Sequence, residues 1–534
     1  MRYLVTSAEM KEYDENTIER IGIPGMVLME RAALETFYAL KEKGWALPGE
    51  RVLVIAGHGN NGGDGLALAR LLCEAGAEVF VLAVGEEAKA TDQWKSQRRI
   101  LESYPVCFVK EWQDKAYDLI IDALFGVGLS RELSGVYEAV IQKANDTPAV
   151  KVAMDVPSGL NCDDGRIMGC IFHADLTVTY GFEKRGLYLF PGCEAAGEVR
   201  PAKVGIDRHA FFDHAPSCFT LEESLEELLP KRKKNGNKGT FGKALILAGD
   251  LNMAGAAVLC ARACYRLGAG MVKVLTHPEN RVILQGALPE ALLGPINDLS
   301  EIRKSLDWCD LVCIGPGLGR SAEVLAAFRE ILKAEMTVEK PLVIDADGLN
   351  LMTVEPDLMS TVKELGSKGR TILLTPHPGE LKRIWEALHP QEKPISMEEL
   401  TVSLSSRGME VAEKLSVIVV AKDARTFVCK AGEPICMNLS GNSGMGTAGS
   451  GDVLAGIITA FLAQECHGET WNGKDAFLTA CKAIRAHGLL GDKAAYLLGE
   501  SSARQSEEHN ANLQGKQSFN LLGEHGVMAG DLIP

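Results

Sequence analysis

The sequence has no apolar run long enough to cross a membrane. Its longest apolar helical stretch, residues 453–462, is far shorter than the roughly 20 residues that a membrane-spanning helix needs. The first 20 residues are rich in charged side chains and lack the apolar core of a secretory signal peptide. We therefore expect a cytoplasmic protein with no membrane partner.

Positive charge is also scarce. The 56 Lys and Arg side chains are outnumbered by 71 Asp and Glu side chains, which gives a formal net charge of -15. Such a surface repels the phosphate backbone of nucleic acids, so we expect no nucleic-acid partner. A nucleotide would have to be held by local devices such as backbone amides, a helix N-terminus or a bound cation.

Clusters of metal-binding side chains are missing as well. The 14 cysteines include no Cys-x-x-Cys pair, and the 11 histidines do not cluster with them. The cysteines are scattered through apolar runs, as Cys313 is in residues 311–314, which indicates reduced thiols in the core. With 46% hydrophobic residues, the composition is that of a globular protein that folds without zinc or disulfides.

What the sequence does contain is a repeated alternation of buried-strand and helix patterns. At 534 residues it is long enough for two large domains. Continuous apolar runs separated by helical stretches are typical of parallel sheets that helices cover on both faces. The runs lie at residues 52–55, 79–84, 119–121, 150–154 and 176–180 in the first half, and at 244–248, 271–275, 311–314, 342–344, 371–374 and 417–420 in the second. We therefore predict an α/β protein built from two parallel-sheet domains.

A basic and polar stretch, residues 231–237, separates the two series of strands. We place the first domain at residues 1–215, a linker at 216–237 and the second domain at 238–534. Near the C-terminus, the polar segment 501–518 is interpreted as a mobile excursion before a short final element.

The first predicted strand leads into a glycine-rich loop, residues 57–65, which read Gly-His-Gly-Asn-Asn-Gly-Gly-Asp-Gly, and then into a helical pattern. This order favours a phosphate site, because glycine lets backbone amides approach the ligand; a plain turn is the alternative. Two later strands end at Asp122 and Asp155, on the same edge of a parallel sheet. A carboxylate there needs a cation, a cluster of amides or a proton-transfer task, unless it caps the next helix. Lys184, in a later charged loop, is interpreted as a surface lysine, with a side chain that faces the site as the alternative.

Three motifs in order, GxGNNGGDG, DALFGxGL and DxPSGxxxxxG, make residues 1–208 resemble the NAD(P)H-hydrate epimerase family. The resemblance implies that Asp155 contacts the hydrated nicotinamide ring as an acid/base and assists interconversion of the R and S configurations at ring carbon 6. It also implies that Asn61, Asp122 and Ser158 bind a potassium ion, which their hard oxygen donors suit. The implied dinucleotide-binding residues are Asn60, Asn61, Gly62, Gly63, Asp64, Gly126, Val127, Gly128, Leu129, Ser130, Arg131, Glu132 and Asp155.

The second half has a glycine loop of its own. Residues 442–451 read Asn-Ser-Gly-Met-Gly-Thr-Ala-Gly-Ser-Gly and lead through Asp452 into an apolar helix. Amides at such a helix start form an anion hole, and the helix dipole adds about 0.3 to 1 kcal/mol of preference for negative charge. The Asp452 carboxylate is therefore badly placed to bind phosphate but well placed to accept a proton from a substrate hydroxyl, with helix capping as the alternative. Loops at residues 315–319, 345–350 and 375–380 follow buried strands at the same edge.

These features make residues 240–534 resemble the ADP- or ATP-dependent NAD(P)H-hydrate dehydratase family, which is ribokinase-like in fold. The resemblance implies that the adenine nucleotide, ADP in a fused chain, is bound by Lys422, Asp423, Ala424, Arg425, Thr426, Asn442, Ser443, Gly444, Met445, Gly446, Thr447, Ala448, Gly449, Ser450 and Gly451. It implies that the S hydrate is bound by Ala256, Gly317, His377 and Asp452. Magnesium commonly accompanies such phosphoryl transfer, although the sequence has no dedicated carboxylate cage for it. The resemblance further implies a homo-oligomer.

The favoured interpretation is a bifunctional repair enzyme for nicotinamide cofactors. The first domain would equilibrate the R and S hydrates of NADH and NADPH, and the second would dehydrate the S form while ADP is converted to AMP and phosphate. One alternative is a ribokinase-like kinase of a small alcohol, with a first domain that binds nucleotides but is not catalytic; its mark would be a phosphorylated product without recovered NADH. A third hypothesis makes the first domain a non-catalytic binding module that senses nucleotides or scaffolds a partner.

Overall fold

The computed structural model describes residues 1–45, 47–333, 339–466, 473, 475–509 and 523–534. The chain divides into two compact units, Tyr3–Cys218 and Phe219–Pro534, the second of which also includes Met1–Arg2. Within the stretch predicted as a linker, the helix Leu225–Leu228 belongs to the second unit.

The N-terminal unit is built from strands and helices in alternation. Its strands are β1 (Arg2–Val5), β2 (Arg51–Ala56), β3 (Glu78–Ala83), β4 (Cys107–Val109), β5 (Leu119–Ala123), β6 (Val150–Met154), β7 (Leu176–Tyr180), β8 (Glu183–Lys184) and β9 (Glu198–Ala202). Its helices are α1 (Ser7–Glu15), followed by a π-helical turn Asn16–Ile21, then α2 (Gly25–Glu42), α3 (Asn60–Glu74), α4 (Asp92–Leu101) and α5 (Val136–Asp146).

Seven of these strands form a parallel sheet in the order β4-β3-β2-β5-β6-β7-β9. The order reverses between β2 and β5, which is the switch point where doubly wound sheets bind ligands beyond the strand ends. Alternate residues of β2 enter different cores: Val52 and Val54 pack with α2, α3 and α4, whereas Leu53 and Ile55 pack with α5. Both faces are therefore buried, which explains the continuous apolar run of this strand.

The C-terminal unit repeats the alternation. Its strands are β10 (Cys218–Thr220), β11 (Lys243–Leu247), β12 (Met271–Thr276), β13 (Leu292–Pro295), β14 (Leu311–Ile314), β15 (Leu342–Ile344), β16 (Ile372–Leu374), β17 (Ile418–Ala421), β18 (Phe427–Cys429) and β19 (Ile435–Met437). Its helices are α6 (Leu225–Leu228), α7 (Ala254–Arg266), α8 (Arg281–Ala287), α9 (Leu299–Trp308), α10 (Ala322–Lys333), α11 (Ala346–Val354), α12 (Pro356–Ser367), α13 (Pro378–Leu388), α14 (Met397–Val402), α15 (Leu404–Leu415), α16 (Ser450–Cys466) and α17 (Ala476–His509).

The sheet of this unit runs β13-β12-β11-β14-β15-β16-β17-β18-β19. It is parallel up to β17 and then continues as an antiparallel hairpin. Helix α16 packs closely on α7, because a Cβ atom at Gly456 would overlap the carbonyl oxygen of Cys260. This contact fixes the start of α16 at the carboxyl edge of the sheet. The predicted α/β fold class is confirmed in both units.

The apolar runs predicted as strands correspond to β2, β3, β5, β6, β7, β11, β12, β14, β15, β16 and β17. The interpretation of segment 501–518 as an excursion is wrong for residues 501–509, which continue α17. Glu, Gln, Ala and Arg are good helix formers, so polarity alone does not end a helix. Residues 510–518 lie outside the described residues. Within the described ranges, every helix is too short or too polar to span a membrane.

Candidate functional sites

The glycine loop after β2 brings backbone very close to backbone. A Cβ atom at Gly57 would overlap the carbonyl oxygen of Leu124, and one at Gly62 would overlap the carbonyl oxygen of Gly57. Helix α3 begins at Asn60, and its N-cap residue Gly59 has no side chain to cap the first-turn amides. Those amides are therefore available to an anion at the switch point.

A cavity of about 1600 Å³ opens at this edge. It exceeds the roughly 300–1000 Å³ of a pocket for a drug-sized ligand, so it has room for a dinucleotide. Of the predicted dinucleotide-binding residues, Asn60, Asn61, Asp64, Gly126, Val127, Gly128, Leu129, Ser130, Arg131 and Asp155 line it. Gly62, Gly63 and Glu132 are not among its lining residues. Lys89, Lys110 and Lys143 also line the cavity and add positive charge to it.

Asp155 follows β6 in a left-handed backbone conformation, with φ at 67°. Its Oδ1 accepts hydrogen bonds from the amide of Tyr180, at 3.2 Å, and from the Lys184 ammonium group. Its Oδ2 lies on the side of Gly126, where a Cβ atom would come within 3.2 Å of it. One oxygen of Asp155 is therefore fixed by the protein, and the other faces the second glycine loop.

Lys184 is not a surface lysine; that interpretation is wrong, because its side chain is 1% exposed. The three N–H donors of its ammonium group go to Asp155, to the hydroxyl of Thr179 at 3.1 Å and to the carbonyl oxygen of Tyr180 at 2.9 Å. An ammonium group that has used all three donors serves as a fixed counter-charge to Asp155 rather than as a group that binds substrate.

Two further carboxyl groups, Asp14 of α1 and Asp64 of α3, line the same cavity. Burial raises the pKa of Asp64 well above its usual range, and the charges of Asp155 and Asp14 add to the rise. Burial also raises the pKa of Asp14. The cavity is thus lined by Asp155, which is paired with an ammonium group, and by Asp14 and Asp64, whose raised pKa values favour the protonated form. The sequence reasoning missed Asp14 because no motif includes it.

The three residues assigned to potassium lie at the same sheet edge. The fully buried Asp122 accepts hydrogen bonds from the amide and the hydroxyl of Ser158, both at 2.7 Å. Burial raises the pKa of Asp122 to about 6, while the hydrogen bonds from Ser158 oppose the rise. Both polar side-chain atoms of Asn61 are buried and have no hydrogen-bond partner among the described residues. A buried amide oxygen without a partner beside hard oxygen donors fits a monovalent cation.

In the C-terminal unit, the loop after β19 ends in Gly449, with φ at 94°, and α16 starts at Ser450. Asp452 therefore lies in the first turn of α16 and not at its N-cap, so the capping alternative is wrong. Burial raises the pKa of Asp452 to about 6; the charges of Asp345 and Asp347 add to the rise and that of Lys422 opposes it.

Lys422 follows β17 and reaches toward the start of α16. Its ammonium group lies 2.8 Å from Oδ1 of Asp345, and a Cβ atom at Gly451 would lie 3.3 Å from it. The remaining residues of this loop, Asp423, Ala424, Arg425 and Thr426, connect β17 to β18. The described structure thus brings Lys422 and the glycine loop together, although about 30 residues separate them in sequence.

His377 is the N-cap of α13. Its Nδ1 accepts a hydrogen bond from the amide of Gly379 at 3.0 Å, and its own amide donates to Oε2 of Glu380 at 2.9 Å. Burial lowers the pKa of His377 and raises that of Glu380 to about 7. Because Nδ1 accepts the hydrogen bond from Gly379, the ring carries a proton on Nε2, which lies 3.5 Å from Oε1 of Glu380.

Ala256 of α7 and Gly317 of the loop after β14 touch each other. Gly317 has φ at 52°, and a Cβ atom there would lie 2.6 Å from Cβ of Ala256. A side chain at position 317 would therefore overlap α7, so the loop after β14 lies directly against the first turn of that helix. Among the described residues there is no cluster of three His, Cys, Asp or Glu side chains that would hold a metal ion.

Two family models match the chain: YjeF-related protein N-terminus over residues 25–186, and NAD(P)H-hydrate dehydratase over residues 244–506. The bifunctional NAD(P)H-hydrate repair enzyme Nnr of Thermofilum pendens is 33% identical over 515 residues, which cover 92% of this chain and 92% of that protein. The enzyme of the same name from Coxiella burnetii is 32% identical over 508 residues, covering 94% and 96%. A solved structure of an ADP/ATP-dependent NAD(P)H-hydrate dehydratase from Bacillus subtilis, co-crystallised with ATP/Mg2+, is 25% identical and covers 58% of this chain and 95% of that one, with a TM-score of 0.39.

Two α/β units, each with a glycine-built loop and a carboxylate beside it at the carboxyl edge of the sheet, define a two-site nucleotide enzyme. The two relatives align over nearly the whole length of the chain, and both are described as bifunctional NAD(P)H-hydrate repair enzymes. The chain belongs to the family of bifunctional NAD(P)H-hydrate repair enzymes.

Proposed function

We propose that this protein restores hydrated nicotinamide cofactors in two steps. The N-terminal unit epimerises the R and S hydrates of NADH and NADPH, and the C-terminal unit dehydrates the S hydrate while ADP is cleaved to AMP and phosphate. The observation that carries the proposal is the placement of Asp155 and Asp452, each beside a glycine-built loop at its own sheet edge. With ADP and the mixed hydrates, the purified protein should restore the absorbance of the reduced nicotinamide; a phosphorylated product without that recovery would favour a kinase.

In the epimerase step, Oδ2 of Asp155 takes the proton of the 6-hydroxyl, the oxygen forms a carbonyl with ring carbon 6, and the bond from that carbon to the ring nitrogen breaks, with its electron pair going to the nitrogen. The nitrogen then adds back to either face of the planar carbonyl carbon and the proton returns to the oxygen, which gives either configuration. Lys184 keeps Asp155 oriented through Oδ1, so that the reacting oxygen faces the substrate cavity. This step is supported by the different environments of the two carboxylate oxygens, because Oδ1 is held by Lys184 and Oδ2 faces the cavity.

In the dehydratase step, Asp452 takes the proton of the 6-hydroxyl, whose oxygen attacks the terminal phosphoryl group of the nucleotide. AMP leaves, and the new phosphate ester is expelled by the lone pair of the ring nitrogen, after which loss of a proton restores the dihydronicotinamide. The amides of Gly449, Ser450 and Gly451 stabilise the charge that develops on the phosphoryl oxygens. A magnesium ion would arrive with the nucleotide, bound through its phosphates, and would neutralise part of their charge.

Dehydration should lose rate as the pH falls through about 6. Burial and the carboxylates of Asp345 and Asp347 raise the pKa of Asp452 to about 6, and Lys422 limits the rise. Because only the ionised carboxylate accepts a proton, the rate should fall about tenfold per pH unit below that value and stay level above about pH 7. The measurement is kcat on purified S hydrate between about pH 5 and 8. A rate that is unchanged at the acidic end would contradict the role of Asp452 as base.

Potassium should support epimerisation and stabilise the N-terminal unit. Asn61, Asp122 and Ser158 supply its ligands in this proposal, and the bound ion would place fixed positive charge beside the dinucleotide phosphates. At a concentration 100-fold above its Kd, the ion would add about 2.7 kcal/mol to the free energy of unfolding. We expect a higher Tm and a faster epimerisation in potassium than in tetramethylammonium salts, and neither response in Asn61→Ala. Equal Tm values in potassium and tetramethylammonium salts would show that potassium does not bind at this site.

We propose a cytoplasmic location and a homo-oligomeric assembly as parts of the same function. Cys260, Cys264 and Cys313 are buried thiols of the core, which supports a reducing compartment. Val27 and Tyr38 on α2 are about half exposed, which supports a contact surface between copies of the chain.

A further inference from the structure

The C-terminal unit holds a buried ion pair, Asp345 with Lys422, at the edge where the glycine loop lies. Asp345 directly follows β15, and its side chain is 2% exposed. Its Oδ1 lies 2.8 Å from the ammonium group of Lys422, which follows β17. The strand between them, β16, is followed directly by Thr375, whose hydroxyl donates to the same oxygen at 2.6 Å. Three neighbouring strands thus combine to fix one carboxylate oxygen and one ammonium group.

The ammonium group has an unusual place for a cation, beside the start of α16. A Cβ atom at Gly451 would lie 3.3 Å from it. A helix N-terminus carries partial positive charge and repels a cation unless an anion is near. Burial disfavours the charged form of Lys422, yet the carboxylates of Asp345, Glu380 and Asp452 outweigh it and raise its pKa. The side chain therefore stays charged where the fold already concentrates positive potential.

We propose that Asp345 is a positioning residue for the dehydratase reaction: its carboxylate holds the Lys422 ammonium group against the start of α16, where that group meets the transferred phosphoryl group. This inference rests on the function proposed above. Of the three donors of the ammonium group, the described structure commits one to Asp345, which leaves two for phosphoryl oxygens. The ammonium group and the amides of Ser450 and Gly451 then bind the same group from two sides.

The backbone around Asp345 is consistent with this role. The next residue, Ala346, has φ at 45°, a left-handed conformation that is strained for a residue other than glycine. The amide of Asp345 donates to the carbonyl oxygen of Ile314 at 3.0 Å, and its own carbonyl accepts from Gly348 at 2.9 Å. A turn held in this way gives the side chain a single direction, toward Lys422.

The test replaces Asp345 by Asn, which keeps the size of the side chain and its hydrogen bond to Thr375 but removes the charge. We expect kcat for dehydration to fall about 10- to 100-fold and KM for ADP to rise, while KM for the S hydrate changes less than about twofold. Lys422→Met should give the same pattern, and the double variant should be no worse than the more affected single variant. Thr375→Val is a milder change, and we expect it to lower kcat and to raise KM for ADP by smaller factors.

Asp357→Asn is the matched control, because this aspartate forms an ion pair with Arg329 on the surface of α12 and lies outside the site. Wild-type kcat and ADP KM in Asp345→Asn would overturn the inference. The inference would also be overturned if the decreases in kcat of the two single variants multiplied in the double variant. Equal increases in KM for ADP and for the S hydrate, together with a lower Tm, would show that Asp345 has only a structural role and would overturn it as well. Failure of the proposed function looks different: the wild-type protein itself would not restore NADH from the S hydrate with ADP or ATP.

Discussion

In the Asp452→Asn variant, nucleotide-dependent recovery of NADH from the S hydrate is expected to fall by about 10³-fold or more. Asp452 is the carboxylate in the first turn of α16, beside the glycines that we propose bind the phosphoryl group. An amide cannot accept the proton of the 6-hydroxyl, and without that transfer the hydroxyl oxygen remains a poor nucleophile. The measurement is a single-turnover rate with saturating ADP and purified S hydrate, so that binding does not limit the result.

The same variant carries its own control, because its N-terminal unit is unchanged. Epimerisation of the R hydrate should keep the wild-type rate, and Asp357→Asn should leave both activities intact. A loss smaller than about tenfold in Asp452→Asn would assign the proton transfer to another group.

In the Asp155→Asn variant, epimerisation is expected to fall by about 10³-fold while dehydration of purified S hydrate is unaffected. The reason is that Oδ1 is already committed to Lys184 and to the amide of Tyr180, so only Oδ2 can exchange a proton with substrate. An amide at this position has no group that can accept and return the proton. The rate is best measured by NMR exchange between the two epimers without nucleotide.

Removing this anion also leaves Lys184 as a buried unpaired cation, which costs about 3 to 5 kcal/mol of stability. A second variant, Asp155→Asn with Lys184→Met, restores the charge balance and should recover Tm but not epimerisation. Asp146→Asn, at the exposed end of α5, serves as the neutral comparison. Epimerisation that returns together with Tm would show that Asp155 has only a structural task.

Much of the fold could be predicted from the sequence, because the strands of a two-sided parallel sheet are continuous apolar runs. Val52 to Ile55 is buried in every residue, and the same holds for Leu311–Ile314. The place of Asp155 could be predicted for a related reason, because it directly follows the buried strand β6 at the edge where ligands bind, and that of Asp452 could be predicted because a glycine loop leads through it into an apolar helix. Strands at the sheet margins, such as β4, β13 and the β18–β19 hairpin, are not predicted because they are only 3 or 4 residues long, too short to form a recognisable apolar run.

The partners of these carboxylates could not be predicted, because contact across a sheet edge is set by strand order and not by sequence distance. Lys184 stands in a charged run that is typical of a surface, yet the fold buries it against Asp155. Asp345 and Lys422 are far apart in sequence and meet only because β15, β16 and β17 are neighbours. Burial of a charge becomes visible only once its counter-charge is placed.

The central claim is that the two sites act in turn on one damaged cofactor, and a complementation assay tests it most directly. Mixed R and S hydrates are incubated with ADP and the Asp155→Asn variant, and the absorbance of reduced nicotinamide is followed. We expect a fast phase equal to the S fraction and then a stop, with full recovery once the Asp452→Asn variant is added. Complete recovery at the wild-type rate by Asp155→Asn alone, or no response to the added variant, would contradict the account.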